Sequence, residues 1–246
     1  MFKMMLSDLN SWKTLTKTTE YIKNSTFHYK YINEIFNLWQ SKDVFKKAYI
    51  KLLNEHYFKL SNIKKTKNIN LFIDSTYIIN KYGIEDIATN PEYRKKKVTK
   101  LSAIMDQEKN VLAIIPISTQ ISKSGKSISF PHDLTSVQPT LDDMFIDIPK
   151  YIRTKCAGDK AYITQKSFDL NGKNISIIAP KRKNQKTKNT KIELKILTKR
   201  YRVENGLCNI KNKNRLMVRK DKKISTFMGF VFLSLLQIFC LRYKLQ

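Results

Sequence analysis

Leu71-Phe72-Ile73-Asp74-Ser75-Thr76 is a short apolar run that ends abruptly in a carboxylate. Ile69 and Asn70 precede it, and Ser75-Thr76 reads as the start of a turn. The stretch is therefore expected to be a buried strand with Asp74 at its C-terminal end. Open α/β sheets place chemistry at that end of their strands. A single aspartate there could equally close the strand by hydrogen-bonding the next turn. Two more carboxylates decide between these readings.

The first is Asp159, in Lys155-Cys156-Ala157-Gly158-Asp159-Lys160-Ala161-Tyr162. Small residues before the acid allow close backbone approach at the end of a short strand, and Gly158 tolerates dihedrals closed to other residues. The second is Glu204, inside a helical pattern expected over 192–213. Arg200 lies four residues before it and Lys211 seven after, so the three share one helix face. A plain surface ion pair between Arg200 and Glu204 would explain two of the three.

Outward from the Asp74 strand, the chain reads as follows. Phe36, Trp39, Phe45, Tyr49, Leu52 and Leu53 recur at three- and four-residue steps, giving amphipathic helices on either side of Ser41-Lys42-Asp43, where Ser41 or Asp43 could serve as N-cap. They could form a small DNA-binding unit or a cap that only packs on the next domain. The polar, basic stretch 61–68 is the linker expected between a helical region over 1–66 and a second domain over 67–246. After Asp74, strands are expected at 98–105 and 111–115, making a meander. A loop over 119–129 and a helix over 141–151 follow, with His132 beside Asp133 readable as ligand or base but first as a loop or cap residue. Residues 163–170 read as helix and 175–179 as a fifth strand stopped by Pro180. The run Lys181-Arg182-Lys183-Asn184-Gln185-Lys186-Thr187-Lys188 is a solvated basic loop at minimum and a candidate for tracking phosphates.

Forty-seven Lys and Arg against 20 Asp and Glu leave a net charge of +27, spread along most of the chain. A polyanion partner is the natural inference, and nucleic acid is the commonest. Abundant Lys, Asn and Ile together also fit the coding bias of an AT-rich genome. Cys156, Cys208 and Cys240 form no CxxC pair and the three histidines are scattered, so neither a disulfide framework nor a zinc site is indicated. A reducing, intracellular compartment is expected. The largely apolar residues 1–6 are too short for a signal peptide. Residues 224–241 give 18 mostly apolar positions, at the lower edge of a membrane span, interrupted by Ser225, Thr226, Ser234 and Gln237. A buried terminal helix and no membrane association are expected.

Ile73-Asp74-Ser75-Thr76, Tyr93-Arg94 with Lys97 and Lys100-Leu101-Ser102, Gly158-Asp159-Lys160-Ala161-Tyr162, and Val203-Glu204 within 200–215 together resemble the DDE transposases of bacterial insertion sequences, in the insertion-sequence four and five superfamily. The three acids are separated by 85 and 45 positions, and this order and spacing make the combination specific. The resemblance covers residue 69 onward and, more weakly, 26–53. It implies an α/β, RNase H-like fold: a mixed five-stranded sheet with flanking helices, preceded by a small helical N-terminal region. Asp74, Asp159 and Glu204 would be the catalytic, metal-binding triad. Arg94, Lys97, Lys100, Arg200, Lys211 and Arg215 would bind DNA. Leu197 departs from the pattern, because related enzymes often carry Tyr there to contact the DNA end.

The implied activity is that of a magnesium-dependent (or manganese-dependent) DNA transposase, a phosphodiester strand transferase. Water would cut at the element end, and the freed 3′ hydroxyl would then attack target DNA. Such transfer needs an activated oxygen nucleophile and relief of charge on the leaving oxygen, which two divalent cations about 4 Å apart supply. Mg2+ prefers carboxylate oxygens and water. The implied partners are the double-stranded terminal repeats and target DNA, with a homodimer assembled on DNA, in the cytoplasm or nucleoid of a prokaryote. The alternative is a catalytically inactive, transposase-derived DNA-binding protein that keeps the fold and the basic face.

Overall fold

The computed structural model describes residues 28–64, 68–121, 128–182, 184 and 187–244. Residues 1–6, parts of the expected linker and the 119–129 loop, and parts of the basic 181–188 run lie outside the described residues.

The centre of the fold is β1 (Asn68–Asn80). It does not stop at Asp74, because Thr76, Tyr77, Ile78 and Ile79 are β-branched or aromatic and continue the ladder. Along one edge β1 runs antiparallel to β3 (Lys96–Met105), with Phe72 opposite Met105 and Ile79 opposite Val98. The far edge of β3 carries β4 (Val111–Ile117) beside its C-terminal half and β2 (Ala88–Asn90) beside its start. On its other edge β1 runs parallel to β7 (Arg153–Ala157) at Asn68–Phe72 and to the two-residue β10 (Val218–Arg219) at Ile79–Asn80. Between those two pairings, residues 73–78 have no strand on that side among the described residues. β7 is parallel in turn to β9 (Asn174–Ile178), and β8 (Ser167–Asp169) closes the edge antiparallel to β9. The order β4-β3-β1-β7-β9-β8, with β2 and β10 added, makes a mixed eight-stranded sheet rather than one of five. β5 (Gln120–Ile121) and β6 (Ile128–Ser129) form a separate small hairpin.

The helices differ from their expected bounds in informative ways. α1 (Tyr29–Ser41) and α2 (Val44–Lys64) break at residues 42–43, as the sequence indicates, with Asp43 at a φ of +54°. α3 is Val137–Asp142, preceded by the 3-10 turn Asp133–Ser136, which His132 caps by accepting from the Leu134 N–H at 3.3 Å. The 141–151 helix is therefore not formed. Beyond Asp142 the Phe145 N–H donates to Leu112 O at 2.7 Å instead of back along a helix, and Pro149 has no N–H to continue one. The 163–170 stretch likewise holds β8 instead of a helix. The expected 192–213 helix is two: α4 (Lys191–Leu197), opened by a Thr190–Glu193 capping box, and α5 (Tyr201–Lys211). Leu197 lies half-buried at the end of α4, packed against the core. α6 (Asn214–Met217) precedes β10, and α7 (Ile224–Tyr243) completes the described chain.

Side chains alternate across β1, so Phe72, Asp74 and Thr76 share one face while Ser75 and Tyr77 project from the other. α5 covers the Asp74 face closely: a Cβ on Gly206 would collide with the sulfur of Met105, the strand partner of Phe72. α3 covers the Ser75 face, where Thr140 Oγ1 donates to Ser102 Oγ at 2.8 Å.

α1 and α2 pack as a cap rather than standing apart. Phe36 stacks on Phe230 of α7 at 4.4 Å between ring centroids, Tyr49 meets Phe239 edge-on at 5.9 Å, and the Tyr49 hydroxyl donates to Val111 O at 3.0 Å. One hydrophobic core runs across the 66/67 boundary. α7 is long and apolar enough to cross a membrane by length and composition, with a mean hydropathy of 2.1, and half of its apolar window is buried inside the fold.

Candidate active site

Asp74 sits midway along β1 and is largely covered. Its Oδ1 accepts from the Ser75 backbone N–H at 2.8 Å. Asp159 follows Gly158 at the end of β7, where the Gly158 N–H donates to Ile178 O at 3.0 Å and ties the loop to β9. A Cβ at Gly158 would come within 2.8 Å of the Tyr162 ring, so glycine lets that ring close over the loop. Asp159 Oδ1 caps the 3-10 turn Lys160–Tyr162 by accepting from Ala161 N–H at 2.8 Å. Glu204 stands in the first turn of α5 with its side chain half-exposed.

Arg200 joins the two sides of this site. Its Nη2 is 2.6 Å from Glu204 Oε1 and its Nη1 is 3.8 Å from Asp74 Oδ2, so one guanidinium bridges strand and helix. Lys211, on the same face of α5, donates from Nζ to Thr76 Oγ1 at 3.1 Å. The shared face of Arg200, Glu204 and Lys211 thus lies against β1 and not in open solvent. Burial pushes the Asp74 carboxyl up to about 6; the charges of Asp159 and Glu204 add to the push, while the Ser75 N–H and Arg200 oppose it.

The remaining candidates divide. Arg94 and Lys97 are exposed, with Arg94 and Lys95 both left-handed at φ +54° and +59°. Lys100 and Arg215, expected to meet DNA, are buried instead. Lys100 Nζ lies 2.8 Å from Asp133 Oδ1 and donates to Pro131 O at 3.2 Å. Arg215 pairs with Asp221 at 2.5 Å, over the Phe230 ring. Their charges are taken up inside the fold by these partners. Sequence reading missed Asp133, whose partners Ser75 and Lys100 are brought to it only by folding, and Tyr162, which is buried beside them.

Among the described residues, no three His, Cys, Asp or Glu side chains are drawn together tightly enough to hold a metal ion as they stand. Arg200 lies between two of the three acids and keeps Glu204 turned towards itself. The donor types do suit a hard divalent cation, because all three are carboxylates and two of them, Asp159 and Glu204, bring negative charge to bear on Asp74. Comparison with protein families, curated proteins and solved structures finds no match to this chain.

The raised Asp74 carboxyl makes stability depend on pH. Its ordinary value is 3.8 and its folded value about 6, so the folded protein holds this proton more tightly than the unfolded chain. The resulting stabilisation is fully present below about 4 and lost as pH rises through about 6. Asp74→Asn cannot ionise and escapes that loss, which amounts to at most about 3 kcal/mol. Thermal unfolding in chelator should show the variant several degrees more stable than wild type at pH 8 and nearly equal to it at pH 4. An equal difference at both pH values would mean that Asp74 is not the group being strained.

Proposed function

We propose that the chain is a DDE transposase: a phosphodiester strand transferase that cuts double-stranded DNA at element ends and joins the freed 3′ end to target DNA, using Mg2+ or Mn2+. The observation that carries the reading is that Asp159, at the end of the parallel neighbour of β1, and Glu204, on a helix lying against β1, both bring negative charge to bear on Asp74 of the central strand, with Arg200 in contact with Asp74 and Glu204. The strand order supports an RNase H-like catalytic domain. Three antiparallel strands (β1, β3, β4) are followed by α3, then by β7 and β9 running parallel to β1, then by α5 with the last acid.

In this reading Asp74, Asp159 and Glu204 hold the cations, which supply an activated oxygen nucleophile and neutralise the leaving oxygen. Glu204 turns from Arg200 to join the other two acids, a movement its exposure on α5 permits. Arg200, thus released, can hold a phosphate bidentately beside the scissile bond. Lys211 follows the backbone about three helical turns further along the same face. The net charge of +27 gives the long-range attraction to DNA. The protein acts as a homodimer assembled on DNA, inside the cell.

A catalytically inactive, DNA-binding descendant is the second reading, and Arg200 favours it: a fixed guanidinium already neutralises two of the acids, as a retired metal site would tolerate. Nicking separates the two. The wild-type protein should nick a duplex carrying the terminal sequences that flank its gene when Mg2+ is present and not in chelator. Binding without nicking would leave the inactive descendant.

Lys211 tests the DNA-facing surface separately. Lys211→Ala should weaken binding to that duplex and reduce the magnitude of the log-affinity against log-salt slope by about one unit, with thermal stability nearly unchanged. An unchanged slope would return this helix face to a purely internal role.

A further inference from the structure

On the face of β1 opposite Asp74, three polar side chains converge where a hydrophobic layer would otherwise continue. Ser75 Oγ donates to Asp133 Oδ1 at 2.5 Å. Lys100 Nζ approaches the same oxygen at 2.8 Å and also donates to Pro131 O. Lys100 comes from β3, opposite Tyr77, and its side chain is only 3% exposed. Tyr162, wholly buried, lies beside this group, near enough for the charges of Asp133 and Asp74 to act on it. Lys100 is buried and Asp133 part-buried, and taking such a pair out of water is costly unless its geometry is well fixed. The pair also does little for the sheet, since β1 and β3 are already joined by a long ladder.

The position of Ser75 gives the pair a use. Ser75 is the residue whose backbone N–H holds Asp74 Oδ1. It also lies in the part of β1, residues 73–78, that has no neighbouring strand on the β7 side among the described residues. No ladder fixes the 74–75 peptide from that side, and neighbouring residues of a strand project to opposite faces. A tie on the Ser75 side chain therefore sets the orientation of the peptide that serves Asp74.

We propose that Ser75, Asp133 and Lys100 are positioning residues that fix, from the far side of the sheet, which way the Asp74 carboxylate points. One oxygen of Asp74 is committed to the Ser75 N–H and the other is presented to the face where Arg200 and Glu204 stand. The proposal rests on the reading of Asp74 as a ligand of the divalent cation. Groups that orient a metal ligand from behind typically change metal affinity by about 10–100-fold when removed.

Two double variants of the full chain separate positioning from folding. Lys100→Met with Asp133→Asn, and Lys100→Met with Asp133→Leu, both remove the buried charges together, so neither leaves one unpaired. Only the first keeps an oxygen for the Ser75 hydroxyl. The readouts are Mn2+ binding by titration calorimetry and the Ser75 amide proton resonance, which reports the hydrogen bond to Asp74 without metal. The Asn variant should match wild type in both, and the Leu variant should bind Mn2+ about tenfold or more weakly with its amide resonance moved upfield. Ser75→Ala should reproduce the Leu result, and decides the matter should the Leu variant not fold. Equal amide resonances in the Asn, Leu and Ala variants would overturn the proposal. A wild-type protein that binds no Mn2+ would overturn the reading of the three acids as a metal site, and the amide comparison would still decide whether Asp74 is positioned from behind.

Discussion

Full-length Asp159→Asn is expected to cut an element-end duplex at least about a thousandfold more slowly than wild type in Mg2+, a loss of about 4 kcal/mol of transition-state stabilisation. The effect should be confined to chemistry, and the local geometry says why. Asparagine keeps an oxygen where Asp159 Oδ1 accepts from Ala161 N–H, so the cap of the Lys160–Tyr162 turn survives. The Gly158 tie to Ile178 is made by backbone and survives as well. What disappears is one negative charge and the second strong oxygen donor, which a divalent cation needs far more than a turn does. Thermal stability, DNA affinity and its salt dependence should stay close to wild type. If the variant nicks DNA at the wild-type rate, Asp159 is a turn cap and the proposed triad fails.

Arg219→Ala is expected to cost about 3–5 kcal/mol of folding stability, enough to leave much of the protein unfolded at physiological temperature. Arg219 is completely buried, where burial pulls its guanidinium below the ordinary arginine range. Its nitrogens donate to Glu85 O at 2.7 Å, Thr99 Oγ1 at 2.8 Å, Lys222 O at 3.0 Å and Asp221 O at 3.1 Å. One side chain thereby fastens the loop after β1, the start of β3 and the turn into α7. Alanine would orphan the buried acceptors of Thr99 and Asp221 and release the part-buried Glu85 and Lys222 carbonyls. Lysine would fare only partly better, because a single ammonium cannot reproduce the planar fork. Urea unfolding measures this directly; a midpoint within error of wild type for Arg219→Ala would show that these bonds are replaced by water.

Residues whose environment is local were legible in the sequence. The β3–β4 turn, the end of β9 before Pro180, the break between α1 and α2, and Asp159 behind a small-residue strand all follow from neighbours a few positions away. Asp74 stands in mid-strand and not at a strand end, because the strand propensity of Thr76 to Ile79 outweighs the turn signal of Ser75-Thr76. The single long helix over 192–213 overlooked the break at Thr198–Arg200, which places Arg200 at the head of α5 within reach of both Asp74 and Glu204. Lys100, Arg215 and Arg219 show a limit of a different kind. A basic residue in a basic chain reads as surface, and only the folded chain reveals an Asp133, an Asp221 or a ring of carbonyls waiting to receive it.

The seating of α1 and α2 on α7 has a consequence for how the protein is made. These two helices leave the ribosome with Phe36, Phe45, Tyr49 and Leu53 ready for burial well before Phe230 and Phe239, on which they rest, have been made. At about 5–20 residues per second, the roughly 180 intervening residues delay that meeting by about 10–40 seconds. For that interval the nascent chain carries an uncovered apolar face on α1 and α2. The core closes only once α7 has been made, so a message truncated before α7 would yield a chain with a complete sheet sequence and nothing to seat α1 and α2.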